Sequence, residues 1–585
     1  MNQINLKTLF ALIFLFALIF LWGCAQKQDG VRGWMILSDH QENAVRTIKA
    51  AKNFNINHLQ LSHHIVHSLR EVKHENVRQQ VNYLTRLAHQ EGIKEVFAWD
   101  RSFYSLSYYP DEFKTGPGGT LDLDNPLFWE WFKQDYREML DLVPDIDGLV
   151  LTFIETGARA ERQQSEKLKT NQEKLAAVVD AVADVVIEER NKKLVIRTFA
   201  YTDAEYANTI GCIQHIKNQK VILMMKETPH DFFLTHPNDP YIGTINRPTI
   251  VEFDTGNEFN GHGVIANTWP EYVLKRWRDF IQRPNVIGYV ARTDRYGTTA
   301  IIDTPHEILL YALKRGTENP EITDEEVFDE FITARYGKEA LKPVKEAFKL
   351  AFDIVTATLY TLGTNVANHS AMNFDQYRSS YFRHVSGKWL DPPVVFVKHG
   401  VNKEFHYWKD VIDHIAPARH KTKDGPLSTE VNYVLEQEWV EAVEKMDSAY
   451  LHYIITQKQY GVRLARQALE KIEQAKPMLA TQRYDELFQL FNRTLLTARL
   501  YEAVATAYYG FRVYARGEPY RYEELNRQIK FALREIEMIT EEMRLLEGTF
   551  PIGQWNWLRD ADMALSYKDK ILTGWSEYGN MKVEN

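Results

Sequence analysis

The sequence predicts a (β/α)8 TIM barrel followed by a mostly α-helical C-terminal domain. Eight short apolar runs, rich in Val, Ile, Leu and Phe without alternation, recur between residues 33 and 293, with amphipathic helix-length segments between them. Such runs suit parallel strands buried on both faces, and eight strand–helix units in about 290 residues is the signature of a TIM barrel. A doubly wound open sheet would carry a Gly-rich phosphate loop after its first strand. Ser38-Asp39-His40-Gln41 stands there instead.

In chain order the strand runs are Gly33–Ser38, His58–Ser62, Glu95–Asp100, Gly148–Glu155, Leu194–Tyr201, Val221–Thr228, Thr249–Thr255 and Val286–Thr293. Helical patterns lie at Val77–His89, Pro126–Leu142, Glu173–Glu189 and Trp269–Ile281. These define a barrel over residues 31–321. After Asn319-Pro320 the pattern turns helical, starting with Thr323 as a cap and Glu326 three residues on. Long helices are expected over Glu325–Arg335, Lys338–Leu362, Ser428–Ala475, Tyr484–Ala515 and Tyr522–Leu546, within a domain of residues 322–585. An irregular, His-rich and aromatic piece, Asn373–Lys423, is expected to reach toward the barrel mouth.

Ahead of the barrel, residues 1–24 read as a lipoprotein export signal. Lys7 precedes an apolar run, Leu9 to Trp22, long enough for a signal peptide core but short for a membrane span. Leu21-Trp22-Gly23-Cys24 resembles a lipobox, which makes Cys24 the acylated residue and residues 25–30 a tether. An uncleaved anchor helix is the alternative. The expectation is a lipid-anchored protein outside the cytoplasm, at the outer membrane rather than the inner, because Ala25 is not an acidic retention residue.

The net charge of −9 argues against a nucleic-acid surface. With Cys24 lipidated, Cys212 has no partner, which excludes a disulfide and a Cys-based metal site. Thirteen Trp and thirty Tyr would suit sugar stacking, but they also fill cores. No cofactor is expected, and the helical domain is a candidate dimer surface.

Barrel enzymes place their chemistry at the C-terminal ends of the strands. Here those ends carry Asp100 and Arg101, Glu155, Arg197, Lys226 with His230 and Asp231, Glu252 with Asp254 and Glu258, and Arg292 with Asp294 and Arg295. Carboxylates from several strands, flanked by Arg and Lys, suit hydrolysis of a sugar bearing a negative group. Each has a structural alternative: Glu155 as a salt-bridge partner of Arg197, Asp231 as a helix cap, Glu252 and Asp254 as residues that orient cations. His63, His64 and His67 have helical metal spacing, but no carboxylate completes a motif.

Several of these segments resemble glycoside hydrolase family 67, the α-glucuronidases. Lys226-Glu227-Thr228-Pro229-His230-Asp231-Phe232 is similar to the family's Lys-Asn-Gly-Pro-Ile-Asp-Phe, and Glu252 to Phe259 parallels its Glu-Phe-Gln-Ile-Thr-Gln-Glu-Tyr. Phe153 to Gly157 resembles its Asn-Ser-Glu-Gly, and Ile196 to Tyr201 its Trp-Arg-Ala-Phe-Val-Tyr. The resemblance implies an inverting hydrolase that removes an α-linked glucuronate-like residue from plant or algal oligosaccharides. Glu155 would be the general acid and Asp231 with Glu258 the base pair. Arg197 and Lys226 would hold the uronate, with Asp100, His230, Arg292 and Asp294 as further contacts. Two features depart from the family: Leu151 stands where it has a Lys, and its usual domain ahead of the barrel is missing. The alternatives are a non-catalytic glycan-binding lipoprotein and a lyase for uronate polymers, the latter using His230, His262 or Tyr201.

Overall fold

The computed structural model describes residues 30–372 apart from 117, 154, 200–202, 229–230, 235–237, 362–363, 366 and 369, then 421–422, 425–426, 448–515, 522–548 and 557–578. Cys24, Tyr201, His230 and nearly all of Asn373–Lys423 lie outside the described residues.

Eight parallel strands close into a barrel in sequential order. They are β1 (Val31–Ile36), β2 (His58–Leu61), β3 (Glu95–Arg101), β4 (Gly148–Thr152), β5 (Lys193–Arg197), β6 (Ile222–Lys226), β7 (Thr249–Phe253) and β8 (Val286–Arg292). Closure is sealed by β1 on β8, with Trp34 level with Ala291 and Met35 with Arg292. Each expected strand forms, within a few residues of its expected ends.

Around the strands run α1 (Gln41–Ala50), α2 (Glu75–Gln90), α3 (Pro126–Leu142), α4 (Asn171–Ala183), α5 (Asp203–Cys212), α6 (Pro270–Ile281) and α7 (Ile308–Glu318). Their starts follow local chemistry. Asn125 caps α3 with Pro126 at its first turn, and Thr170 with Glu173 forms a capping box on α4. The link from β6 to β7 departs from the strand–helix repeat, since its described residues form turns without a helix.

Period-two alternation divides the barrel's side chains between two cores. Met35, Phe97, Trp99, Val150, Val195, Met224, Ile250 and Val290 pack together inside. Their neighbours, such as Trp34, Ala98, Leu149, Leu151, Ile196, Met225, Val251 and Ala291, join the larger core between strands and helices. The same alternation sets which polar residues reach the lumen. Inside lie Arg197, two residues past Val195, and likewise Lys226, Glu252 and Arg292. Leu151 faces the helices, so its replacement of the family's Lys removes no lumen contact here.

The helical region comprises α8 (Asp324–Tyr336), α9 (Leu341–Phe348), α10 (Ala351–Leu359), α11 (Ser448–Ala475), α12 (Thr481–Ala515), α13 (Tyr522–Leu545) and α14 (Trp557–Tyr578). α8 opens with the expected capping box of Thr323 and Glu326. Apolar side chains from Trp34 to Ile571 form one continuous core spanning barrel and helices. This region braces the loop after β7: Arg493 donates to the Gly263 carbonyl at 3.0 Å, and the Ala266 N–H donates to Thr494 at 2.9 Å. Ser370 accepts from the His262 N–H at 2.9 Å and donates to the Glu258 carbonyl at 2.7 Å. Among the described residues no helix is long and apolar enough to cross a membrane.

Candidate active site

Strained backbone gathers at the C-terminal mouth. His63 after β2, Phe103 after β3, Glu155 after β4 and Asn257 after β7 have φ of 47°, 60°, 56° and 57°. Non-glycine residues rarely take such angles, and each costs on the order of 1–3 kcal/mol, which marks functional loops.

The lumen above the apolar layer is filled by ion pairs. Glu252, fully buried, accepts from Arg197 at 2.5 and 3.0 Å and from Arg292 at 2.8 and 3.1 Å. Arg292 also donates to Glu258 at 2.5 Å, and Arg295 donates to the other Glu258 oxygen at 2.7 Å. Lys226 pairs with Asp231. Arg101 pairs with Glu155 at 2.8 Å and donates to the His67 carbonyl at 2.8 Å. The three expected catalytic carboxylates therefore all face cations, each from a different side of the mouth. Arg197 and Arg292 are anchored on Glu252, so the orienting role weighed for that residue is the one it plays.

Charge states follow from these neighbours. Burial alone would raise Glu155, but Arg101 and Arg197 outweigh it and hold the carboxyl at about 2. Against burial, Arg197 and Arg292 hold Glu252 at about 2. Two neighbouring carboxyls go the other way. Burial pushes Asp254 up to about 7, and it pushes Asp294 to about 7 against the N–H groups of Leu37 and Ser38. Asp254 accepts from the Glu258 N–H at 2.7 Å, while its Oδ1 is buried with no hydrogen-bond partner. Carboxyls held down by arginines and carboxyls raised by burial thus share the mouth, a contrast that acid–base chemistry uses.

Some expected contacts are engaged by the protein itself. Asp100, at an even position on β3, points outward with Ala98. Its Oδ1 accepts from Ser68 at 3.0 Å and the Leu69 N–H at 2.9 Å, and its Oδ2 accepts from Tyr136 of α3. Asp100 therefore ties β3 to the helical layer. Asp294 accepts the N–H groups of Leu37 and Ser38 at 2.7 and 3.2 Å, which closes the seam above β1 and β8. His262 commits Nδ1 to the Gly256 carbonyl and Nε2 to Thr299, leaving no nitrogen for a lyase base. The three His residues after β2 splay onto separate rings: His63 onto Trp99, His64 onto Tyr296 and His67 onto Tyr104. No group of three or more His, Cys, Asp or Glu among the described residues is arranged to hold a metal ion.

Arg101, Arg295 and His63 belong to the site although the strand-end reading gave none of them a role. Arg101 was legible, two residues past Trp99 and so inward. Arg295 and His63 sit on loops, where alternation predicts nothing.

No family model matches the sequence, and no curated protein does. Solved structures do resemble it. A GH138 enzyme targeting the pectin rhamnogalacturonan II aligns with a TM-score of 0.54 at 11% identity, over 95% of this chain and 69% of that one. A family GH115 4-O-methyl-α-glucuronidase with specificity for decorated arabinogalactans aligns at 0.48 and 10%, over 90% of this chain and 60% of that one. A mutant of the Thermobaculum terrenum O-GlcNAc hydrolase aligns at 0.42 and 8%, over 94% and 95%. At such identities the first likeness establishes a shared fold, a barrel with a helical extension.

Proposed function

We propose that this chain is a glycoside hydrolase acting on a uronic-acid-containing oligosaccharide, with inversion at the anomeric carbon. The observation that carries the reading is the mouth itself. Glu155, Asp231 and Glu258 converge there among Arg101, Arg197, Lys226, Arg292 and Arg295, cations that suit an anionic sugar. The fold shared with a pectin-targeting enzyme supports it.

In the resting site Glu155 is ionised. A uronate entering the field of Arg101, Arg197 and Lys226 brings a second negative charge beside it, and a like charge raises a carboxyl's affinity for a proton. Substrate itself would make Glu155 an acid. Glu155 would then protonate the leaving oxygen as the bond from the anomeric carbon breaks. A water adds to that carbon and gives its proton to the base. Of the expected base pair, Asp231 takes the proton, and Glu258, held by Arg292 and Arg295, orients the water.

The test is sugar release from a panel of uronate-containing oligosaccharides by wild type and by Glu155→Gln, with the anomer read by NMR. Release by wild type of the inverted anomer, lost on substitution, supports the reading. A wild type that releases nothing favours the glycan-binding alternative, and product with retained configuration refutes inversion.

Lipidation of Cys24 at the cell envelope belongs to the same proposal. β1 starts at Val31 and runs toward the mouth, and Gly30 lines a groove with Lys52, Lys94 and Lys314 at the opposite end. A tether that ends at Gly30 would attach at the basal end, and the mouth would then open away from the membrane toward soluble fragments.

A further inference from the structure

Two guanidiniums of the mouth, Arg101 and Arg295, each keep one donor nitrogen outside their pairing with Glu155 and Glu258. All five cations of the mouth face carboxylates, as described, but Arg101 and Arg295 each also carry a buried nitrogen that none of those carboxylates reaches. Arg101 is 1% exposed and Arg295 9%, yet Nε of Arg101 and Nη1 of Arg295 are buried with no hydrogen-bond partner among the described residues. A buried donor without an acceptor costs free energy, and such pairs persist where a ligand supplies the acceptor.

A third residue relates the two. Arg101 lies 5.8 Å from the centre of the Trp99 ring on which His63 packs, and Arg295 lies 4.2 Å from the centre of the Tyr296 ring on which the next residue, His64, packs. Burial and the charges of Arg295, Arg101 and Arg292 hold the His63 ring neutral. That ring packs on Trp99 with centroids 5.2 Å apart, and Nδ1 is hydrogen-bonded to Ser62 at 2.6 Å. His63 thus adds no competing charge between them.

We propose that the carboxylate of a sugar acid binds over His63, accepting hydrogen bonds from Arg101 and Arg295. This deepens the hydrolase reading, on which it rests for its substrate class. It moves recognition of the negative group from Lys226 and Arg197 to the β3 and β8 side. There the anion would compete with Glu155 for Arg101, which couples binding to release of the acid.

Isothermal titration of the full-length protein with D-glucuronate, D-galacturonate, D-glucose and glucose 6-sulfate tests this, using Arg101→Lys and Arg295→Lys. Lysine keeps the charge and removes the forked donors, so uronate binding should weaken about 10- to 100-fold in each variant. A melting curve for each variant checks folding. A crystal of wild type soaked in glucuronate gives an answer independent of the variants: the carboxylate lies against Arg101 and Arg295, or the subsite is wrong. Glucose binding as tightly as glucuronate would also overturn it. Glucose 6-sulfate binding as tightly would overturn the assignment to a carboxylate. Uronate release unaffected by either variant sinks the subsite and leaves the hydrolase reading. Selective uronate binding without sugar release does the reverse.

Discussion

Replacing Glu252 with Gln should destabilise the barrel by about 3–5 kcal/mol, because it removes the carboxylate that buried Arg197 and Arg292 share and leaves Arg292 only Glu258. Glu252 is 0% exposed and takes four hydrogen bonds from Arg197 and Arg292. A second route gives a similar size. The two arginines overcome burial and lower the carboxyl from 4.5 to about 2. At 1.36 kcal/mol per pH unit that is about 3 kcal/mol. The sign follows from the direction. A carboxyl depressed in the folded state contributes fully above its unfolded value near 4.5, and the contribution disappears as pH falls through about 2. For a barrel of this size 1 kcal/mol moves the melting point by about 2 °C. Calorimetric melting of wild type and Glu252→Gln should therefore differ by about 6–10 °C at pH 7, and the gap should narrow between pH 4.5 and 2. A gap under about 1 °C at pH 7, or one that persists unchanged at pH 3, refutes the reasoning.

Gly288 of β8 has φ of +149°, and a Cβ there would lie 1.9 Å from the Val31 carbonyl, so Gly288→Ala should break closure of the barrel and sharply lower the yield of folded protein. Burial raises Asp254 from 3.8 to about 7, so its contribution is present below 3.8 and lost as pH rises through 7. Asp254→Asn should therefore gain stability relative to wild type from pH 5 to pH 8, and equal shifts at both pH values would contradict this. Lys458 of α11, fully buried, donates to the carbonyls of Ala357, Thr358 and Tyr360 at the end of α10. Lys458→Met should lower stability by about 2–4 kcal/mol, read by urea unfolding. Cys24→Ser should abolish labelling by radioactive palmitate and move the protein out of the membrane fraction. Retention there would favour an uncleaved anchor helix.

The barrel was legible because its information is local. Gly148-Leu149-Val150-Leu151-Thr152 is apolar throughout, as a strand covered on both faces must be, and Thr323 with Glu326 signals a helix start within four residues. The helical region was legible less completely. α14 was not anticipated, although Gly548, Pro551 and Gly553 mark a break after α13 and Trp557–Tyr578 mixes charged and apolar residues as an amphipathic helix does.

Sequence alone therefore determined the order of elements and the end of the barrel where polar residues gather, and through the resemblance it proposed the three carboxylates Glu155, Asp231 and Glu258. Tertiary structure alone decided what those residues pair with. Glu155 faces Arg101 rather than Arg197, 54 positions away in the chain, and Glu252 bridges arginines from β5 and β8. Asp100 looked like Arg101's equal in the sequence, but alternation turns one carboxylate to α3 and the next guanidinium into the lumen. The physical reason is range. Burial on both faces and capping act over a few residues, whereas charge is set by whichever groups barrel closure brings within a few ångströms.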